Sequence, residues 1–483
     1  MRLIRLLLLV LFVPTAFAQT PAAKTEPAKS KTAAPAKSTA ELQKSIRAHM
    51  EYLASDALRG RGSATEDELT AAKYIAEKFK EYKIQPAGDA DASGKKGYIQ
   101  NVPLTRTKFS EMPVLSLGDA KFTHGKEMAL LRTISPKFSG PLQKWKVGDP
   151  VQKGAAVYVH LREGAGDPAV RTQIMEPLTS GAGLLIIADA AQIRQRFAAA
   201  SKQMPELPMR VGGQKNDDIA DFGNALVLSA DASKIFDAAA DGATVSFAGT
   251  AGLAEEGATR NVIGVLPGSD PALAKEVILL TAHMDHLGVR ENAPGDDKIY
   301  NGADDDASGT VAVLEMARKL AAGKRLRRTV YFVTFGSEER GGWGANYFLQ
   351  HPPVPITEIA ANLEFEMIGR GDSAVPADTL WLTGYERSNL GPELAKQGAK
   401  IVADPHPDER FFERSDNIAL ARKGVIAQTV SSFGLHKDYH QASDDFAHID
   451  FDHMTRSIES MFAPVTWLAN STFKPEWVPG KKP

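Results

Sequence analysis

From Asn261 onward the sequence predicts an α/β fold: a three-layer sandwich with a central, mostly parallel sheet covered by helices on both faces. Three observations lead there. Continuous apolar runs recur at Val262–Leu266, Val277–Thr281, Val330–Phe335, Leu363–Met367, Leu380–Leu382 and Val425–Val430. They alternate with helical stretches near Ser308–Ala322, Gly344–Gln350, Asn389–Ala399 and Ser415–Ala421. Strands buried on both faces read as unbroken apolar runs, and interleaved helices supply the cover. The third observation is that histidines, aspartates and glutamates crowd just past several of the runs, where ligands bind in such sheets.

In chain order, Arg2 and Arg5, the apolar Leu6–Val13 and Ala16-Phe17-Ala18 have the pattern of a secretory signal over residues 1–18. The apolar part is shorter than the roughly 20 residues of a membrane span. Export to the periplasm or medium is therefore expected, without membrane anchoring. Residues 19–41 are Ala, Lys, Pro, Thr and Ser, a composition expected to give a disordered linker. Leu42, Ile46, Met50 and Leu53 then fall on one helical face. A second helix is expected from about Thr65, with Leu69, Ala72, Ala76 and Phe79 buried and Ser63 or Thr65 capping. Residues 42–111 are assigned to the main domain. Residues 112–252 change texture, with short apolar runs at Ala155–Val159, Leu184–Ala188, Ala225–Leu228 and Thr244–Phe247. They carry no cluster of ligand-type residues and are expected to form a smaller inserted α/β domain. Residues 253–475 return to the main domain, closing with a helix near Asp452–Ala469 that Pro464 is expected to kink, and 476–483 are a tail.

Composition narrows the function. The 483-residue chain contains no cysteine, which excludes disulfides, thiolate metal sites, cysteine nucleophiles and a lipid-modified cysteine. A formal net charge of −2 gives nucleic acid no electrostatic footing. No P-loop, HExxH or GxSxG occurs.

Five segments carry ligand-type residues: His283-Met284-Asp285, Asp304-Asp305-Asp306, Glu338-Glu339, Glu364 with Glu366, and Tyr439-His440 followed by Asp444-Asp445. Singly, each reads better as a solvated turn or a helix cap. Jointly, at loops that a parallel sheet would gather, two imidazoles and three carboxylates form a hard N/O donor set suited to Zn²⁺ or a similar ion.

The pieces AHMDHLG, NGADDDASGT, SEERGGWGANYF, NLEFEMIGR, FERSDNIAL and DYHQASDD, in this order, closely resemble the M28 group of co-catalytic zinc aminopeptidases. The resemblance runs from about Leu42 to Phe473, and the middle module is similar to the protease-associated (PA) domain inserted in many members. It implies two Zn²⁺ per chain and peptide N-termini as substrate. It implies His283 as a ligand of one zinc, oriented by Asp285, with Asp305 bridging both. Glu338 is implied as general base, Glu339 and His440 as ligands of the second zinc with Asp444 supporting, and Tyr439 as an oxyanion donor. Three departures stand out. Glu366 replaces the usual Asp before Met-x-Gly and is favoured as ligand over Glu364. Asn417 stands where Ser-Asp-His is common, and Trp343-Gly344-Ala345 replaces Gly-Ser. Carboxypeptidase or dipeptidase action, a single-zinc glutaminyl cyclase on a related fold, and a binding protein that has lost its metals are the rival readings. Phe433, Leu435 and Trp343 are candidates for a side-chain pocket.

Overall fold

The computed structural model describes residues 37–162, 168–212 and 223–483, so the expected signal segment and most of the linker lie outside it. The described part of the expected linker is not extended: residues 37–41 already belong to helix α1 (Lys37–Leu53), whose Ile46, Met50 and Leu53 are fully buried. No described helix is long and apolar enough to cross a membrane. The chain divides into two compact units, one holding Pro103–Gly257 and the other the residues up to Val102 with Ala258–Pro483.

In the larger unit, α1 is followed by α2 (Glu66–Glu81), capped by Thr65, whose hydroxyl accepts from the backbone N–H groups of Asp67 and Glu68. Of the expected stripe of α2, Ala72, Ala76 and Phe79 are buried as the pattern predicts. Leu69 is only half-buried, while Ala71, Ile75, Phe79 and the carboxylate of Glu68 are enclosed. Seven of the ten strands of the sheet are β1 (Ala251–Leu266), β2 (Val277–His283), β3 (Val330–Phe335), β4 (Ile359–Phe365), β5 (Leu380–Leu382), β6 (Ile401–Ala403) and β7 (Ile426–Ser431). Their order is β6-β5-β7-β4-β2-β3-β1. The four central strands β7, β4, β2 and β3 are mutually parallel, β5 and β1 pair antiparallel to their neighbours, and β6 is parallel to β5.

Alternation along β2 explains the cover on both faces. Ile278, Leu280 and Ala282 join one apolar core with α1, α2, α3 (Gly309–Ala321) and the terminal helix α7 (Phe451–Asn470). Leu279 enters the opposite core with α4 (Trp343–Gln350) and α6 (Asn417–Arg422). The helix α5 (Leu390–Lys396) is shorter than the sequence pattern suggested, and α7 runs through Pro464 as one element. The expected tail is anchored, since the Trp477 indole donates to Gly424 O.

The unit of Pro103–Gly257 has its own eight-stranded mixed sheet, with helices at Pro168–Thr179 and Ala230–Ala238 and an apolar core on each face.

Candidate metal centre

The carboxyl ends of the four parallel strands lie side by side, so whatever follows each strand is gathered into one place. β2 ends on His283, β3 leads through Gly336-Ser337 to Glu338-Glu339, β4 leads to Glu366, and β7 leads into the loop carrying Tyr439 and His440. Sequence pattern placed Glu366 within or just beyond its strand; the structure ends β4 at Phe365.

Asp305 sits at the centre. Its Oδ1 is 3.2 Å from Nε2 of His283, and its Oδ2 is 3.2 Å from Nε2 of His440. His440 Nε2 is also 3.2 Å from Glu339 Oε2. Two sets of donor atoms close enough to hold one ion each share Asp305: His283 with Asp305 and Glu366, and His286 with Asp305 and Glu339. Glu364 is not in either set. Its Oε2 instead accepts the backbone N–H of Asn417, so the Asn417 that departs from the M28 pattern tethers Glu364 and packs fully buried.

The loop that carries Asp305 is held by its neighbours. Asp306 Oδ1 accepts from the backbone N–H of Gly309 and of Met367, which ties the start of α3 to the exit of β4. Asp304 Oδ1 accepts from Gly369 N, and Ser308 Oγ donates to Asp304 O. Gly309 is required there because a Cβ would lie 2.1 Å from Phe365 O and 2.5 Å from the Asp306 carboxylate. Asp444 does not touch His440 as the resemblance implied. Its carboxylate accepts from the backbone N–H groups of Asp304 and Asp305, so it fixes the aspartate loop from the other side.

Asp285 carries two tasks. Its Oδ1 lies 3.7 Å from His283 Nδ1 and accepts the backbone N–H of Glu338 at 3.0 Å, while Oδ2 accepts from Ser63 Oγ. It thus aligns the imidazole of one strand end and the glutamate of the next. The Tyr439 ring is stacked on His440 at 3.9 Å.

The site is short of positive charge. Burial, together with the charges of Asp416, Glu339 and Glu366, pushes the Glu338 carboxyl well above its usual range against the pull of His283. Burial likewise raises Asp416 to about 8. Glu339 is held down at about 2, because the imidazoles of His286 and His440 outweigh burial and the neighbouring Asp305. His440 is raised to about 10 by Asp305 and Glu339 in spite of burial. Buried His283 Nε2, both ring nitrogens of His286, and Glu339 Oε1 have no hydrogen-bond partner. Imidazoles and carboxylates packed together with several buried donor atoms unpartnered form an N/O set that fits Zn²⁺.

Beside Glu366 a small pocket is walled by Met367, Trp381, Phe411 and Phe433, with Arg414 and Tyr439 at its border. Phe433 lines it; Trp343 does not, and Leu435 is exposed.

The model of peptidase family M28 matches residues 261–465. The matched region contains His283, Asp305, Glu338, Glu339, Glu366 and His440, while Arg61 and Ser63 lie before it. Leucine aminopeptidase 1 of Trichophyton rubrum is 25% identical over 225 residues, covering 44% of this chain and 58% of its own. Leucine aminopeptidase 1 of Metarhizium robertsii is 25% identical over 210 residues, covering 40% and 51%. The chain thus spans little more than half the length of these relatives. An aminopeptidase from Aneurinibacillus sp. strain AM-1 shares the fold with a TM-score of 0.53 at 18% identity, over 90% of this chain and 95% of that one.

Two residues of the site escaped sequence reasoning. His286 follows the expected ligand motif directly, and its only signal was being a second histidine at the same strand exit. Arg61 lies 222 residues before His283 and is fully enclosed, donating to the carbonyls of Leu53, Met284, Asn301 and Gly302. No local pattern marks a residue whose partners are backbone carbonyls.

Proposed function

We propose that this chain is an exported metallo-aminopeptidase that hydrolyses the N-terminal peptide bond of peptides with a two-zinc centre. The observation that carries the reading is Asp305, whose two carboxylate oxygens face different imidazoles, as a bridging ligand requires. His283 and Glu366 complete one site; Glu339 and His440 complete the other. Zinc bound there supplies a water of near-neutral pKa and polarises the scissile carbonyl.

The residues of the chain do the rest. Glu338 stands beside both sets with its backbone N–H donating to Asp285, where its carboxylate would take the proton of the attacking water and hand it to the departing amine. Tyr439, whose ring stacks on His440, would donate its hydroxyl to the carbonyl oxygen as charge develops. The apolar wall of Trp381, Phe411 and Phe433 fits an aliphatic first side chain, in keeping with curated relatives named leucine aminopeptidases. Export rests on the charged and apolar N-terminal pattern. The unit of Pro103–Gly257 contains no group of metal-holding residues among those described, which agrees with a PA-like accessory module.

The test is a panel of aminoacyl chromophores with N-blocked peptides as controls. Chelator-sensitive release from free aminoacyl substrates, restored by zinc, is expected. Cleavage of the blocked series at comparable rates would reject the aminopeptidase reading.

A further inference from the structure

His286 is the buried group that the proposed mechanism leaves unused. Its ring is fully enclosed, and the fold is shaped to admit it. Gly302 adopts φ +58, and a Cβ there would fall 2.3 Å from His286 Cγ. The backbone N–H of His286 donates to Arg61 O, which pins the residue one turn of chain beyond His283. The ring meets His440 edge-on at 5.7 Å.

The decisive detail is at Nδ1. It lies 2.8 Å from Glu339 Oε1 and 3.8 Å from Asp305 Oδ2, yet neither Nδ1 nor Glu339 Oε1 makes a hydrogen bond. An imidazole nitrogen and a carboxylate oxygen at ion-pair distance but without hydrogen-bond alignment are the arrangement left when one ion takes a lone pair from each. Donors bound to one zinc at roughly 2.0–2.1 Å stand about 3 Å apart, so a shared ion accounts for the contact. His440 Nε2 approaches the same two carboxylates from the other side.

We propose that His286 Nδ1 is a fourth protein ligand of the second zinc, beside Asp305, Glu339 and His440. The inference rests on the two-zinc reading above and goes beyond it by making the two sites unequal. The His283–Asp305–Glu366 site has three protein ligands and keeps an open position. The His286 site has four, the number that closes a tetrahedral zinc site. The second zinc is therefore the retained ion, and the zinc at His283 is the exchangeable one.

The test is zinc-edge X-ray absorption of the full chain loaded with zinc, paired with chelator titration of His286→Ser. The wild type is expected to show three imidazoles per zinc pair, and to lose its two ions at chelator concentrations at least tenfold apart. In His286→Ser the count falls to two imidazoles, and the retained ion is lost at tenfold or more lower chelator. Two zincs held by two imidazoles in the wild type would overturn the fourth ligand alone. Fewer than about one zinc per chain would overturn the two-zinc reading and this inference with it. The wild-type spectrum decides the matter even if the variant fails to fold.

Discussion

Glu338 and Glu339 are chain neighbours in opposite surroundings. One is pushed well above the carboxylate range by burial and negative neighbours, and the other is held at about 2 by two imidazoles. In the proposed mechanism the first is the base and the second holds metal. Glu338→Gln is expected to lower kcat by a factor of about 10²–10⁴ while zinc content is unchanged; residual activity within tenfold of wild type would assign the base elsewhere. Glu366→Ala is expected to lose zinc or activity far more than Glu364→Ala, whose carboxylate holds Asn417 instead. The reverse order, read by metal analysis of both variants, would move the ligand by two residues. At this scale the sequence was informative wherever a ligand-type residue directly follows an apolar run, as at His283 and Glu339. It was silent on Arg61, whose partners are carbonyls from three distant segments, and on the Asp444 contacts to the Asp304–Asp305 backbone.

Elements other than the strands hold the centre in place. Arg61 joins the end of α1, the exit of β2 and the aspartate loop by donating to one carbonyl each from Leu53 and Met284 and two from Asn301-Gly302. Arg61→Met leaves those carbonyls buried without donors. A destabilisation of about 3–5 kcal/mol is expected, read as a lower urea midpoint with unchanged slope. The α1–α2 pair carries a pH dependence of its own. His49, wedged between the Tyr74 and Tyr82 hydroxyls, is depressed to about 4, chiefly by burial. An unfolded chain has histidine near 6.5, so below that value it binds more protons than the folded one. Stability is then expected to fall as pH drops from about 6.5 to about 4, and His49→Gln should flatten that part of the curve. An equal slope in both proteins would assign the loss to other groups. The helical period located the buried face of α2 at Ala72, Ala76 and Phe79 but did not anticipate the burial of Glu68. Glu68 is buried because Thr259 and Ser337 hydroxyls satisfy it, and a pattern of apolar residues cannot anticipate such partners.

For the molecule as a whole, the central sheet was legible because its strands are buried on both faces. The outer strands were less so: β5 and β6 are three residues each, and β1 begins eleven residues before the apolar run that announced it. The absence of cysteine leaves stability to the two-faced cores, which the length of the chain makes possible. The parallel strand ends in turn explain how residues from 283 to 440 meet within a few ångströms. The account stands or falls on a single joint measurement: zinc per chain, determined on the same preparation whose hydrolysis of free and N-blocked aminoacyl substrates is followed during chelation and zinc return. It requires two zinc ions per chain, with hydrolysis of the free substrates lost and recovered in step with the metal. Fewer than about one zinc per chain, with no chelator-sensitive hydrolysis, would contradict it.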